Sequence, residues 1–519
     1  MTTEPGRPDV PPTTPPEGGG PDGGNPALGG FETAALDAAE RARLGHRAAE
    51  AARRLAGQDI VAVALTWVDV GGITRTKTVP VQRLEHAASW GVGMAPSFDV
   101  FLLDDSIVSG RYIGGPAGDL RLHPDLDRLV PMAALPGWAH APASRYAQDG
   151  TVHPLDARAL LRRETDRLAA GGWSVRTAFE IEWAVSDAAG YKATASAGGT
   201  GGFSPACHGP AYGMTRISEL SRYLRDLLRA LQASGVSVDQ LHPEYAAGQY
   251  ELSVAAEDPV GAADTAVLVR ETIRAVSFDH DLAASFSPKV EADRVGNGGH
   301  VHLSLWREDG GDGAGAPGTG AGTGAVNAMA GGTGPYGMTP AGEAFAAGIL
   351  ARLPALLAIG APSVASYLRL VPSHWAGAYS CWGLENREAA LRFITGAAGE
   401  RATAANLEVK CFDGAANPYL ALAALLAAGR AGVGAGAVLP APFDADPAGL
   451  PAAERAARGI APLPSSLGEA VAAFEADGVL REALGEAVTD TVTAVRRGEI
   501  ALLDGATPQE VAAATRWRH

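Results

Sequence analysis

The spacing of hydrophobic and polar positions changes several times along the chain, and each spacing predicts a different element. Two runs rich in β-branched residues, Ile60 to Asp69 and Thr74 to Val81, flank a Val-Gly-Gly-Ile turn and therefore predict a β-hairpin. Short strands with frequent Pro and Gly residues continue to about Arg145. This first part of the chain is therefore predicted to form a small domain that is mainly β-structure.

After this region, helical and strand-like segments alternate. Apolar residues at helical spacing predict helices, and short apolar or alternating runs predict strands. In chain order, the predicted elements are a helix at 154–170, a strand at 173–184, a helix at 217–233, a strand containing Gln249 and Glu251, a helix at 259–282, and strands at 284–290 and 300–306. From residue 338 onward the chain is predicted to be mainly helical. This succession indicates a larger α+β domain.

Two stretches differ from the rest in composition. Residues 1–30 are rich in Pro and Gly and are predicted to form a disordered tail, whereas residues 308–338 are rich in Gly, Ala and Thr and are predicted to form a flexible surface insertion. The whole chain is then divided into the tail at 1–30, an N-terminal helix at 31–56, the β-rich domain at 57–150 and the larger domain at 151–519.

The overall composition and charge exclude several classes of protein. Hydrophobic residues make up 46% of the chain and charged residues 19%, which is enough apolar material for a large core. The net charge of -16 argues against a nucleic acid or an anionic membrane as partner. No uninterrupted apolar stretch is long enough to predict a transmembrane span. The three cysteines are widely spaced and fit no disulfide framework, so we expect a cytoplasmic location.

Acidic residues and histidines recur on the predicted strands. Glu180 and Glu182 are two residues apart in a strand, so they share one face. Glu244 and Glu251 stand on either side of a Gly-containing bend. A Gly-rich loop that contains Gly298 precedes a further strand, on which three polar residues share a face: His300, His302 and Ser304. Each segment alone has an ordinary explanation, such as a solvated strand face or a surface turn.

Basic residues add to this inventory in the last third of the chain. Three of them, Arg369, Arg387 and Arg392, suggest a clamp for phosphate or carboxylate, and Glu408 shares a strand face with Lys410. Carboxylates with an imidazole suit Mg²⁺ or Mn²⁺ better than Zn²⁺. Such cations beside arginines are suited to phosphoryl transfer from ATP. The sequence has no P-loop motif, which disfavours a Walker-type NTPase.

In their order and spacing, these segments together resemble the bacterial type I branch of the glutamine synthetase family over about residues 57–519. The resemblance implies an α+β fold with a small N-terminal β-grasp domain and a large catalytic domain, in which helices flank a curved antiparallel sheet. It also implies a homo-oligomer, usually a dodecamer of two hexameric rings, with each active site between neighbouring subunits.

The resemblance also implies roles for individual residues. Ligands of the metal nearer the amino-acid substrate are matched by Glu182, Glu244 and Glu251. Ligands of the metal nearer the ATP phosphates are matched by Glu180, His300 and Glu408. Nucleotide contacts are matched by Asp239, His302, Ser304, Arg387 and Arg392. Contacts to the amino acid are matched by Gly298, Arg369 and Lys410.

The reaction implied by the resemblance has two steps. ATP phosphorylates the γ-carboxylate of glutamate, and a nitrogen nucleophile then displaces phosphate. The expected substrates are ATP, glutamate and an amine, and the expected cofactors are two or three Mg²⁺ or Mn²⁺ ions per site. Arg387 is the expected catalytic arginine, because a fixed cation stabilises the charge of the transferring phosphoryl group.

Three positions depart from the family pattern. An acidic flap residue usually stands six places after the arginine that is Arg369 here, but this chain has Trp375, which offers an apolar or cation–π wall instead of a charge. The acid of the N-terminal domain is matched by either Asp104 or Asp105, and Asp104 is favoured as the catalytic one. Lys410 replaces the usual arginine, so the identity of the acid donor stays open.

These departures favour a ligase that joins the γ-carboxyl of glutamate to an organic amine, such as a monoamine, an ethanolamine-like amino alcohol or a polyamine. The alternatives are a true glutamine synthetase that uses ammonia, a non-catalytic regulator, and a ligase with a different acid donor. The intact set of candidate ligands argues against a regulator, because unused buried charges destabilise a fold. No tyrosine follows Tyr419, so control by adenylylation is expected to be absent.

Overall fold

The computed structural model describes residues 36–113, 117–197, 202–308 and 324–519. The predicted disordered tail at 1–30 lies outside these residues, as does the 309–323 part of the predicted insertion. The described residues form two sheets. One hydrophobic core cluster lies entirely between Ala48 and Ala143, and a much larger one spans Val68 to Val495.

Six strands form the smaller sheet, in the order β2-β1-β6-β4-β3 with β5 paired to β6. Their bounds are β1 (Ala62–Val68), β2 (Thr74–Pro80), β3 (Val92–Met94), β4 (Leu120–Pro124), β5 (Val130–Pro131) and β6 (Trp138–Tyr146). β1 and β2 form the predicted hairpin, with Val68 opposite Thr74. β1 and β6 are parallel, so the sheet is mixed. Helices α1 (Ala38–Ala56) and α2 (Leu84–Trp90) pack against each other beside it.

Ten strands form the larger sheet, which carries the candidate site. Its order is β16-β13-β14-β15-β11-β7-β9-β8, with β10 paired to β7 and β12 paired to β11. The bounds are β7 (Trp173–Asp187), β8 (Val238–Pro243), β9 (Gln249–Val254), β10 (Leu282–Ser285), β11 (Val301–Glu308), β12 (Ala325–Asn327), β13 (Tyr379–Leu384), β14 (Ala389–Ile394), β15 (Asn406–Val409) and β16 (Ala461–Pro462). Among these described strands β13 and β14 are parallel, whereas the other pairs are antiparallel as predicted.

Fourteen further helices complete the described part of the chain. They are α3 (Ala157–Ala170), α4 (Ala188–Ala197), α5 (Met214–Glu219), α6 (Ser221–Ala233), α7 (Pro259–Asp279), α8 (Pro340–Gly360), α9 (Ser366–Arg369), α10 (Arg401–Ala404), α11 (Pro418–Ala435), α12 (Ala452–Ala457), α13 (Leu467–Ala476), α14 (Gly478–Leu484), α15 (Glu486–Leu502) and α16 (Pro508–Thr515). The predicted α+β class is confirmed. The β-grasp topology of the smaller domain stays a prediction.

Three elements differ from the sequence prediction. The helix predicted at 217–233 is divided at Leu220, whose backbone leaves the helical region, into α5 and α6. The strand predicted at 284–290 is instead β10, which begins earlier and ends at Ser285. The N–H of Phe286 donates to the carbonyl oxygen of His519 rather than to the sheet, and Pro288 has no N–H to donate. Part of the predicted flexible insertion forms β12, which pairs with β11 so that Asn327 lies opposite Trp306. That part of 308–338 therefore belongs to the sheet.

The two most apolar helices cross in the core. By length and composition alone, α8 and α11 could each span a membrane, but most of their residues are buried inside the protein. They pack so closely that a Cβ added to Gly432 would lie 2.1 Å from the carbonyl oxygen of Ala344 and 2.6 Å from Cα of Gly348. Only glycines allow this approach of two helix backbones.

We expect Gly432→Val to destabilise the fold by about 1–3 kcal/mol, because the added side chain forces α8 and α11 apart. The matched control is Gly434→Ala in the same helix, where an added Cβ meets nothing within 4 Å. That substitution should raise stability slightly, since alanine is the better helix former. Thermal unfolding of both variants checks the prediction, and equal midpoints would contradict it.

Candidate active site

The candidate site lies on one face of the larger sheet, where the strand register aligns polar side chains. Directly opposed residues on neighbouring strands point to the same face. Across β8, β9 and β7 the aligned residues are His242, Glu251 and Glu182. Across β11, β15 and β14 they are His302, Glu408 and Arg392. Because β7 pairs with β9 on one side and β11 on the other, the two rows meet at β7.

A first group of possible metal ligands is formed by Glu180, His300 and Glu408, which were predicted together. One ligand atom from each lies within 4.8 Å of the others. Nδ1 of His300 is 3.1 Å from Oε2 of Glu180 and 3.4 Å from Oε1 of Glu408. The β-structure brings them together, since the N–H of Glu180 donates to the carbonyl oxygen of His300 at the start of β11.

The other three predicted ligands fall into two overlapping groups. Glu182 and Glu251 lie with His300 in one group, and Glu251 lies with Glu244 and His242 in the other. Nε2 of His300 is 3.8 Å from Oε1 of Glu182. Nε2 of His242 is 3.2 Å from Oε1 of Glu251, and its Nδ1 is 3.6 Å from Oε1 of Glu244. Glu251 and His300 therefore connect the three groups into one continuous cluster.

The sequence analysis missed three polar residues of this cluster. His242 belongs to a possible ligand group, and its spacing of two from Glu244 on a strand was the available signal. Tyr212 donates from its hydroxyl to Oε2 of Glu244 at 2.9 Å, and Gln249 donates to Oε2 of Glu182 at 3.0 Å. Gln249 likewise stands two residues from Glu251 on β9, whereas Tyr212 depends on a tertiary contact that no local pattern signals.

Burial and like charges disfavour ionisation of the acids beside β9. Burial, together with repulsion from Glu251 and Glu244, raises the pKa of Glu182 to about 7. Burial and the charge of Glu251 also raise the pKa of Glu244 above its usual value. For the imidazole of His242 the charged form is favoured instead, because its hydrogen bond to Glu251 raises its pKa to about 9.

The acids beside β11 are held ionised by neighbouring cationic groups. Burial alone would raise the pKa of Glu180, but hydrogen bonds from His300 and His302 lower it well below its usual value. Burial likewise opposes ionisation of Glu408, but the charges of Lys410 and His300 lower its pKa to about 2. The two ends of the cluster therefore differ in electrostatic character.

The donor set fits divalent cations with oxygen ligands. Five carboxylates and two imidazoles line the three overlapping groups. Carboxylate oxygens with few nitrogens and no thiolate suit Mg²⁺ or Mn²⁺. A bound cation favours the ionised form of each carboxylate and so relieves the unfavourable burial of Glu182 and its repulsion by Glu251.

Arg369 and Gly298 border the cluster on one side. Arg369 is buried, and its two Nη atoms donate to the carbonyl oxygens of Phe412 and Lys410, each at 3.1 Å. The N–H of Gly298 donates to Oε2 of Glu182 at 2.9 Å. A Cβ on Gly298 would lie 2.5 Å from Nε2 of His300, so only glycine fits between the cluster and Arg369.

Lys410 and Arg392 both contact the same carboxylate. Nζ of the buried Lys410 donates to Oε1 of Glu408 at 3.0 Å, and Nη1 of Arg392 donates to its Oε2 at 3.0 Å. Arg392 also pairs with Glu385. Arg387 is exposed in the turn between β13 and β14, and the described residues form no ion pair with it. Arg387 is therefore accessible to a charged substrate.

The three polar residues predicted at the nucleotide have different surroundings. His302 lies 3.2 Å from Glu180 through Nε2, and its Nδ1 is 2.9 Å from Oδ1 of Asn406. The hydroxyl of Ser304 is buried and accepts a hydrogen bond from Nε1 of Trp306 at 2.8 Å. Asp239 is exposed at an irregularity in β8, beyond the aligned residues. Only His302 among them joins the cluster directly.

The residues predicted at the amine lie on two exposed loops. Trp375 is 55% exposed in the turn that follows Arg369. Asp104 is exposed, and its carboxylate accepts from the N–H and hydroxyl of Ser106, the second at 2.5 Å. Asp105 instead pairs with Arg75 and Arg518. The described contacts of Asp104 are thus local, and none joins it to the cluster.

Comparison with known proteins identifies relatives of this chain. Residues 154–513 match the family described as glutamine synthetase, catalytic domain. The gamma-glutamylpolyamine synthetase GlnA3 of Streptomyces coelicolor is 53% identical over 474 residues, which are 91% of this chain and 97% of that protein. The glutamate–methylamine ligase of Methyloversatilis universalis is 29% identical over 460 residues, covering 85% of this chain and 93% of that one.

Comparison with solved structures leads to the same family. A solved structure described as a novel glutamine synthase homolog superimposes with a TM-score of 0.73 at 33% sequence identity, and the match covers 87% of this chain and 97% of that one. The family match covers more than half of the chain and includes every residue of the acid and histidine cluster. The chain therefore belongs to the glutamine synthetase family.

Proposed function

We propose that this protein is an ATP-dependent ligase that joins the γ-carboxyl of glutamate to an organic amine, with polyamines as the preferred class of acceptor. The observation that carries the proposal is the continuous cluster of five carboxylates and two histidines beside Arg369, with the exposed Trp375 six positions after that arginine. The 53% identity to a gamma-glutamylpolyamine synthetase supports the choice of acceptor.

The cluster is suited to activating the acid donor. We assign one divalent cation to Glu180, His300 and Glu408, and a second to Glu182, Glu244 and Glu251; a third ion is not needed by this assignment. When bound, these cations neutralise phosphate charge and polarise the phosphoryl group. The γ-carboxylate oxygen of glutamate attacks the terminal phosphorus of ATP, and ADP leaves.

The side chains of this protein hold the donor and the nucleotide during this transfer. Arg369, fixed by two backbone carbonyls, holds the amino acid near Gly298, and Lys410 contributes a positive charge. Arg387 meets the negative charge of the transferring phosphoryl group, with Arg392 beside it. His302, Ser304 and Asp239 are assigned to the nucleotide; the hydroxyl of Ser304 must exchange its partner Trp306 for that role.

Amide formation follows at the acyl carbon. Only the neutral amine is a nucleophile, so a base must take one proton from the ammonium form before attack. We assign this role to Asp104 of a neighbouring subunit in a homo-oligomer, as the family resemblance implies. The exposed position of Asp104 and the exposed Ile107 in the same loop support contact with another subunit. The amine nitrogen bonds to the acyl carbon, the bond from this carbon to the phosphate oxygen breaks, and inorganic phosphate leaves with the second proton of the nitrogen.

Product identification tests the proposal directly. The purified protein is incubated with Mg²⁺, ATP and glutamate together with putrescine, methylamine or ammonium, and the products are identified by mass spectrometry. A γ-glutamyl amide of putrescine with equimolar ADP and phosphate is the expected result. Glutamine as the main product would indicate a true glutamine synthetase, and no ATP turnover with any amine would indicate a regulator. Replacing glutamate by aspartate tests the donor, which Lys410 leaves open.

Arg387→Ala should lower kcat by about 100-fold with little change in the KM for glutamate or ATP. The reason is that Arg387 is exposed and free of ion pairs with described residues, so its proposed contact forms only with the transferring group. Steady-state kinetics with a saturating amine separate the two effects. A raised KM with unchanged kcat would place Arg387 in ground-state binding instead.

A further inference from the structure

The turn that carries Trp375 has an unusual backbone. This segment, residues 372–376, is called here the Trp375 turn. Ser373 has φ 59° and Trp375 has φ 54°, so both lie in the left-handed region. That region favours glycine and is a rare conformation for a residue as bulky as tryptophan. Such a conformation persists where the surrounding structure imposes it, often at a site of function.

Two carboxylates hold the backbone of the Trp375 turn in this conformation through hydrogen bonds. The N–H of Trp375 donates to Oε1 of Glu388 at 2.9 Å, and the hydroxyl of Ser373 donates to Oδ2 of Asp446 at 2.7 Å. The other oxygen of Asp446 accepts the N–H of Ala448, which fixes the orientation of the carboxylate. Glu388 is only 8% exposed, so its carboxylate is committed to the interior side of the turn.

Both ends of the Trp375 turn are fixed to the candidate active site. Before the turn, Arg369 donates to the carbonyl oxygens of Phe412 and Lys410. After it, Gly377 packs so closely on β14 that an added Cβ would lie 2.8 Å from Cα of Ala390. The same strand carries Arg392, which contacts Glu408 in the cluster. The backbone that carries Trp375 is therefore anchored on both sides to segments that also contact the cluster.

Neither carboxylate is neutralised by an ion pair. No arginine, lysine or histidine of the described residues lies within 4 Å of the carboxylates of Glu388 and Asp446. In a surface ion pair, a carboxylate contributes little to structure and its loss is easily tolerated. Here the carboxylate of Glu388 instead accepts backbone hydrogen bonds from Trp375 and Ser373, both in the Trp375 turn.

We propose that Glu388 is a positioning residue that fixes Trp375 as one wall of the amine site and thereby sets the selectivity for organic amines over ammonium. This inference rests on the proposed ligase function. The exposed indole supplies the apolar contact to the amine, and Glu388 supplies its position through the hydrogen bond from the backbone. Asp446 acts in the same way through Ser373.

The test compares the KM for putrescine with the KM for ATP and with the putrescine-to-ammonium ratio of kcat/KM. Glu388→Ala should raise the KM for putrescine about tenfold and lower the selectivity ratio about tenfold, with the KM for ATP unchanged. Glu388→Gln keeps an oxygen that accepts from Trp375 and should stay within about threefold of the parent. Ser373→Ala breaks the contact with Asp446 and should shift selectivity in the same direction as Glu388→Ala.

The matched control is Glu482→Ala, an exposed glutamate in α14 that should change neither constant. Thermal unfolding of each variant verifies that it is folded at the assay temperature. Equal selectivity of Glu388→Ala and the parent would overturn the inference, as would an equal rise in the KM for ATP and for putrescine. If the parent itself ligates no organic amine, the proposed function fails, and that result is visible before any variant is compared.

Discussion

Replacing Glu180 by alanine is expected to lower ATP-dependent amide formation at least about 100-fold while the protein stays folded. Glu180 faces both His300 and His302, and its carboxylate is held ionised although it is largely buried. Removing it deletes a proposed metal ligand and leaves two imidazoles without their acidic partner. Loss of a partner that merely orients a ligand already costs about 10–100-fold in affinity or activity, so a direct ligand should cost more.

His300→Ala should have an equal or larger effect, because His300 belongs to two of the three possible ligand groups. The control for both variants is Asp187→Asn, which changes an exposed carboxylate in β7, the strand that carries Glu180. Activity is measured against Mg²⁺ and Mn²⁺ concentration, and binding of Mn²⁺ is measured separately by calorimetry. If Glu180→Ala keeps its activity after treatment with a chelator, the assignment of Glu180 as a metal ligand is wrong.

Local sequence patterns predicted which candidate residues share a strand face, because a spacing of two suffices for that. A spacing of two placed Glu180 with Glu182 and His300 with His302 on shared faces, and the register of β7, β9, β11 and β15 brings these faces together. The family and the enzyme class are confirmed by the match over residues 154–513 and by the relatives that cover most of the chain.

Other features depend on contacts between distant segments and were not predictable from local pattern. The sequence gives no sign that Glu388 reaches back 13 positions to the N–H of Trp375. It likewise gives no sign that β12 closes onto β11, because a stretch rich in glycine resembles a linker until its partner strand is known. Lys410 was considered as a contact to the donor, whereas its described partner is Glu408.

The contacts of Asp104 within one chain do not explain its predicted role. The sequence resemblance places it at the amine, and within one chain its carboxylate contacts only Ser106 among the described residues. The site shared between subunits that we propose would account for this, since the loop that carries Asp104 would then face a neighbour. The oligomeric state therefore decides whether the proposed base reaches the amine, and measurement of the molecular mass in solution is the direct check.

The parent protein is expected to prefer putrescine over ammonium by about 30-fold or more in kcat/KM. Burying two methylenes of the amine against the indole of Trp375 contributes about 1.6 kcal/mol, and cation–π attraction for a second ammonium group contributes about 0.5–2 kcal/mol. The lower limit of the total, about 2 kcal/mol, corresponds to about a 30-fold preference. Ammonium gains neither contact, because it has no methylene group and no second ammonium group. It also loses its hydration on entry.

Trp375→Glu should reverse part of this preference, because a carboxylate at the turn compensates the charge of ammonium and removes the apolar wall. We expect the putrescine-to-ammonium ratio to fall by at least about tenfold. Trp90→Glu is the matched control, since Trp90 is 58% exposed at the end of α2, compared with 55% for Trp375. The ratio is measured from initial rates of phosphate release for both amines. If ammonium is already the better acceptor of the parent, or if both tryptophan variants change the ratio equally, Trp375 does not determine the choice of amine.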